Sequence, residues 1–147
     1  MSESLRASRP GSLNFITIAS FVLSILNVLW LVVLALLVLL GAAATWLGGP
    51  VFGALGTAIG AVVLLILVVQ TILSLLLFVA AWKTWKGDPA GRGLHQTWAW
   101  IIVVLDVLDL IVTGGMDLGA WVRLTYAFIL LYVMSRSEVK LYFGGTA

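Results

Sequence analysis

Four apolar runs, each long enough to cross a bilayer, leave this chain very few folds to choose from. A helix needs roughly 20 mostly apolar residues to cross a hydrocarbon core of about 30 Å. Leu13–Ala44, Val51–Trp82, Thr97–Thr113 and Leu118–Ser135 meet or approach that requirement. They are Leu, Val and Ile runs without the alternation of a barrel strand. A helix is then the form that satisfies every backbone amide within one segment. The sequence therefore predicts an all-α protein, a bundle of four transmembrane helices forming one membrane domain over residues 1–147.

The breaks fall where turns are needed. Gly48-Gly49-Pro50 separates the first two runs, Gly87-Asp88-Pro89-Ala90-Gly91-Arg92-Gly93 the second and third, and Gly114-Gly115 the third and fourth. Pro50 suits the first turn of a helix, because it has no amide proton to leave unpaired. Two antiparallel hairpins are the expected arrangement.

Charge supplies the orientation. Of eight Lys and Arg, only Arg123 lies within a run; Arg6, Arg9, Lys83, Lys86, Arg92, Arg136 and Lys140 flank the runs. With four spans they all fall on one side, which the positive-inside rule assigns to the cytoplasm. Both termini are then cytoplasmic. Trp82, Trp85, Trp98 and Trp100 are expected to form an aromatic belt on that side, with Trp46 and Trp121 near the opposite interface. Arg6, Arg9 and the Ala42-Ala43-Ala44 stretch superficially suggest a cleaved leader. The apolar run is far longer than the ~7–15 residues of a leader's core, so the first span is expected to stay.

Composition excludes several function classes. Charged residues make up 10% and hydrophobic ones 63%, against about 25% charged in a soluble domain. A soluble enzyme and a nucleic-acid-binding module are both excluded on this ground. There is no cysteine, so disulfides and thiolate chemistry are absent.

The polar residues inside the runs are the candidate site. A charge at a helix centre costs at least ~2.5–3.5 kcal/mol, so Asp106, Asp109 and Arg123 must find partners. Asp106 and Asp109 share a helical face. Asp106 and Arg123 are equidistant from the Gly114–Gly115 junction, which predicts an ion pair between spans three and four with Asp109 as second acceptor. The same symmetry about Gly48–Gly49 matches Asn27 with Gln70 and Ser24 with Ser74, a polar layer between spans one and two. Gly49, Gly53, Gly56 and Gly60 recur at helical spacing and suit close helix packing, by span one in the first place and by a second copy in the next.

Other residues carry weaker signals. His95 has no companion ligands and is expected to sit solvated at the interface. Lys83, Lys86 and Arg92, interleaved with tryptophans, serve as the positive-inside loop and offer a site for lipid headgroups. Gly91-Arg92-Gly93 lacks the Lys-Ser/Thr ending of a phosphate-binding loop, and no serine lies in a nucleophile elbow. Residues 138–143 suit a short amphipathic turn on the membrane surface.

Arg9-Pro10-Gly11-Ser12-Leu13 entering span one, and Ser135-Arg136-Ser137-Glu138-Val139-Lys140 leaving span four, resemble the flanks of small, uncharacterised bacterial four-helix membrane proteins. Those relatives often carry Pro where Ser137 stands. The resemblance implies a bacterial inner membrane and brings no activity with it.

A bundle this small has little interior, so self-association or a place in a larger membrane complex is expected. The leading functional expectation is a non-enzymatic structural or accessory subunit without cofactor, whose partners are the lipid bilayer and other membrane subunits. The alternative is a small proton- or cation-linked transporter or channel built on Asp106, Asp109 and Arg123.

Overall fold

The computed structural model describes residues 9–144; Arg6 and Gly145 lie outside them. Four long helices account for most of that length: α1 Gly11–Ala44, α2 Pro50–Trp85, α3 Ala90–Val112 and α4 Leu118–Ser135. A 3-10 turn at Thr45–Gly48 follows α1, and a short helix α5, Ser137–Tyr142, follows α4. All four long helices are apolar and long enough to cross a membrane. The chain has the makings of a multi-pass membrane protein.

The helix ends have local causes. Gly49, at φ +101°, makes the reversal after the 3-10 turn, and Pro50 then opens α2 without an unpaired amide. At the other end of α2 the chain turns through Gly87. There the Asp88 carboxylate accepts from the Ala90 amide at 2.9 Å, and α3 starts at Ala90. That is seven residues earlier than the apolar run predicts. Gly91, Arg92 and Gly93 are helical, not loop, because Asp88 satisfies a free amide and Pro89 tolerates the first turn. Asp117 begins α4 in the same way, accepting from the Gly119 amide at 2.7 Å.

The chain falls into two compact units. One comprises residues 9–21 and 76–144, the other 22–75. In the first, α3 and α4 pack along each other, through Trp98, Ala99 and Ile102 on α3 and Ala120, Leu124, Ala127 and Leu130 on α4. Alanines at these positions let the backbones approach closely. The start of α1 adds Leu13, Ile16, Thr17 and Ser20, all fully buried. α5 turns Val139 inward and leaves Leu141 exposed, and Phe143 just past its end is buried.

The second unit is formed by the rest of α1 and α2. Along α2 every seventh residue from Gly53 through Gly60, Leu67 and Ser74 is buried. A seven-residue repeat keeps one seam of a helix turned toward a neighbour. Leu31 is buried as well, but most other large side chains in this unit are exposed, among them Leu29, Trp30, Leu40, Val51, Ile59 and Leu65. Apolar surface on this scale requires lipid or protein around it.

Candidate functional site

The intramembrane charges come together on α3 and α4. Arg123 donates to Asp106 with two nitrogens, Nε at 3.0 Å and Nη2 at 2.9 Å from Oδ1. Nε also lies 3.3 Å from Oδ2. Asp106 is buried, whereas the Arg123 side chain is 42% exposed. Asp109 and Asp117 each bring an oxygen to 3.8 Å from the same guanidinium. The cluster thus holds three carboxylates around one cation. Asp117 lies between the third and fourth apolar runs and is not among the residues that the sequence singles out. Its carboxyl, just ahead of α4, is held below the ordinary carboxylate range by its hydrogen bond with Asp109 and by the Gly119 amide.

His95 departs most from expectation. It is fully buried, not solvated. Its Nδ1 lies 2.9 Å from the Gly91 carbonyl and 3.2 Å from Thr84 Oγ1. Its Nε2 lies 3.1 Å from Ser20 Oγ, and Ser20 is 2.7 Å from the Tyr126 hydroxyl. A carbonyl only accepts, so in a neutral ring Nδ1 carries the proton and Nε2 accepts from Ser20. Ser20 then accepts from Tyr126, which gives the chain one direction. Side chains from α1, α2, α3 and α4 meet here. Gly91 makes this possible: a Cβ at that position would stand 2.5 Å from the Thr84 amide nitrogen.

Trp98 belongs to this interior too. It packs edge-on against Tyr126, ring centres 6.0 Å apart, and is buried, so it is not part of the surface belt. Its position one turn beyond His95 on α3 puts it on the inward face. Trp82, Trp85 and Trp100 are exposed.

In the second unit Asn27 donates its side-chain amide to Ser74 Oγ, and Ser74 donates to the Gln70 carbonyl at 2.8 Å. The Gln70 side chain is exposed and takes no part in this contact. Pairing is displaced by one turn from the symmetric register, because the 3-10 turn, not a point midway between two glycines, joins the helices. Ser24 is buried. A Cβ on Gly53 would meet the Trp46 ring, one on Gly56 the Thr45 side chain, and one on Gly60 the Ala42 methyl at 3.1 Å. Gly49 stands apart in the turn with open space around it.

The basic residues at the α2–α3 end are used in different ways. Lys83 pairs with Asp88 at 2.7 Å. The Asp88 carboxyl is held below its ordinary value by the Lys83 ammonium and then by the Ala90 amide. Arg92 Nε donates to the Met134 carbonyl at 2.9 Å, satisfying the end of α4. Lys86 lies over the Trp82 ring at 4.8 Å. Arg9 lies over Trp85 at 5.1 Å and donates to the Trp85 carbonyl and to Thr17.

No family model, curated protein or solved structure matches this chain. Its chemistry has to be read from these side chains. Among the described residues, no group of three or more His, Cys, Asp or Glu is placed to hold a metal ion.

The α1–α3 contact has no spacing signature in the sequence. Thr17, Ser20 and Ser24 recur at helical spacing on one face of α1, but nothing in that spacing connects Ser20 to a histidine 75 residues away. The available signal was Gly91 one turn before His95, a small residue on the face that carries the imidazole.

Proposed function

We propose that this chain is a non-enzymatic structural or accessory subunit of a bacterial inner membrane. It consists of two antiparallel hairpins with both termini in the cytoplasm, associated with copies of itself or with other membrane proteins. The observation that carries this reading is the pairing of polar side chains within the long helices. Asp106 is taken by Arg123, His95 by Ser20, Thr84 and Gly91, and Asn27 by Ser74. Groups paired in this way fix helix register. The apolar exterior is left for neighbours in the membrane.

Native mass spectrometry of protein extracted gently from its own membranes tests the reading. The expected result is a multiple of 15.8 kDa or a mass that includes further subunits. A lone monomer under every mild extraction overturns it. For the topology, single cysteines can be introduced into the cysteine-free chain. Thr113→Cys is expected to react with an impermeant thiol reagent in intact cells, and Ser137→Cys only after permeabilisation.

The excess of carboxylates around Arg123 favours a second reading, a proton- or cation-linked transporter or channel. Three carboxylates and one guanidinium leave net negative charge if all ionise, a state that a bound cation or proton relieves. If Asp109→Asn folds normally and abolishes a pH-dependent flux in liposomes, this reading replaces the first.

A further inference from the structure

Unit one has an uneven charge distribution along its helices. Arg123 and the carboxylates Asp106, Asp109 and Asp117 gather where α3 runs out and α4 begins. The opposite end holds Arg9, Lys83, Lys86, Arg92, Arg136 and Lys140 with two described carboxylates, Asp88 and Glu138. Both of those are engaged, by Lys83 at 2.7 Å and by Arg136 at 3.5 Å. No described carboxylate lies within ion-pair reach of Arg9, Lys86, Arg92 or Lys140.

Two of these cations sit on aromatic faces. Lys86 Nζ is 4.8 Å from the centre of the Trp82 ring and the Arg9 guanidinium 5.1 Å from that of Trp85. Both indoles are about half exposed, Trp82 by 48% and Trp85 by 54%. The α5 helix borders the same surface. The Tyr142 hydroxyl is near enough to Gly87 that a Cβ there would be 3.2 Å away, and Leu141 is exposed. An ammonium seated on an indole keeps its hydrogens free for an acceptor, while the ring lies at headgroup level.

From this charge imbalance and these seats, we infer that Lys86, Arg9, Trp82 and Trp85 form a docking site for the phosphodiester headgroup of an anionic phospholipid. Lys86 is the principal contact, and the indoles border the first acyl carbons. The counter-charge that no described carboxylate brings to Lys86 is thus supplied by the membrane, in the leaflet that attracts basic flanking segments. The inference rests on the membrane reading of the chain but not on the accessory-subunit role.

The test uses the full-length protein in nanodiscs of equal parts phosphatidylglycerol and phosphatidylcholine, with retained lipids counted by native mass spectrometry after release. The wild type is expected to retain phosphatidylglycerol preferentially. Lys86→Gln is expected to reduce that preference about fivefold, the worth of one basic residue at an anionic surface. Lys86→Arg is expected to keep it. Lys83→Gln, whose ammonium already pairs with Asp88, is expected to change it less than twofold. Excess inorganic phosphate is expected not to displace the lipid; displacement by phosphate alone overturns the lipid assignment. Equal losses for Lys83→Gln and Lys86→Gln overturn the site in favour of a diffuse surface potential. Retention of both lipids without preference overturns it while leaving the membrane reading intact. Failure to enter nanodiscs at all overturns both.

Discussion

Ser20 on α1 and His95 on α3, 75 residues apart in sequence, are joined by a 3.1 Å hydrogen bond inside the first unit. Ser20 sits in the middle of a directed chain, donating to His95 and accepting from Tyr126. Removing the middle member leaves the buried His95 Nε2 without a donor, which costs about 1–3 kcal/mol, and leaves the half-buried Tyr126 hydroxyl only the Ile16 carbonyl at 3.5 Å. Ser20→Ala is therefore expected to destabilise by about 2–3 kcal/mol in thermal unfolding in detergent micelles. Tyr126→Phe removes one donor and leaves Ser20 bonded to His95, so about 1 kcal/mol is expected. Equal costs for the two substitutions would contradict the direction assigned to the chain.

The Arg123–Asp106 pair joins a buried carboxylate to a cation that is partly open to its surroundings. Breaking a fully buried pair costs about 3–5 kcal/mol, and partial exposure of the arginine lowers this to about 2 kcal/mol. Arg123→Gln and Asp106→Asn are each expected to lower stability by that amount. The double variant should lose less than the sum, since neither charge is then left alone. Strict additivity in this cycle would mean that the pair does not hold α3 against α4.

These two sites show what the sequence made legible. Apolar runs fixed the helix count, and the cost of intramembrane charge made Asp106 and Arg123 each other's natural partners. Counting outward from a glycine turn worked for that pair because α3 and α4 are joined by a tight turn. The same counting missed the Asn27–Ser74 contact by one turn, because a 3-10 segment and not a symmetric reversal joins α1 to α2. His95 was missed for a different reason. Its side-chain partners, Ser20 on α1 and Thr84 on α2, come from separate parts of the chain, and a single histidine has no spacing of its own to read. Asp117 lies outside the apolar runs, so the cost of intramembrane charge does not point to it, although the helix it begins also carries Arg123.

Two glycines near the start of α3 separate packing from backbone preference. A Cβ on Gly91 would meet the Thr84 amide nitrogen and Oγ1 at 2.5 Å, whereas one on Gly93 would meet nothing within 4 Å. Gly91→Ala must push α3 away from α2 and pull His95 off Thr84, at an expected cost of about 1–3 kcal/mol. Gly93→Ala fills open space and stiffens the helix, for an expected gain of about 0.5–1 kcal/mol. Opposite shifts in melting temperature for two alanines two residues apart are the outcome to look for.

The α2–α3 turn carries a pH dependence that can be isolated. Asp88 lies outside the helices, and its carboxyl is held below its ordinary value of 3.8 by the Lys83 ammonium and the Ala90 amide. Its folded pKa is lower than its unfolded pKa, so the unfolded chain takes up the proton first as pH falls. The stabilisation is therefore complete above the unfolded value and is lost as pH drops through the folded one. Asp88→Asn cannot ionise and lacks this dependence. The stability difference between wild type and Asp88→Asn is expected to be constant from pH 7 down to about 5 and to shrink below pH 4. Raising the salt concentration should narrow the difference at neutral pH as well, because Lys83 and Asp88 are exposed enough for ions to screen them. If the difference stays constant down to pH 2, Asp88 holds the turn through hydrogen bonds that do not depend on its charge.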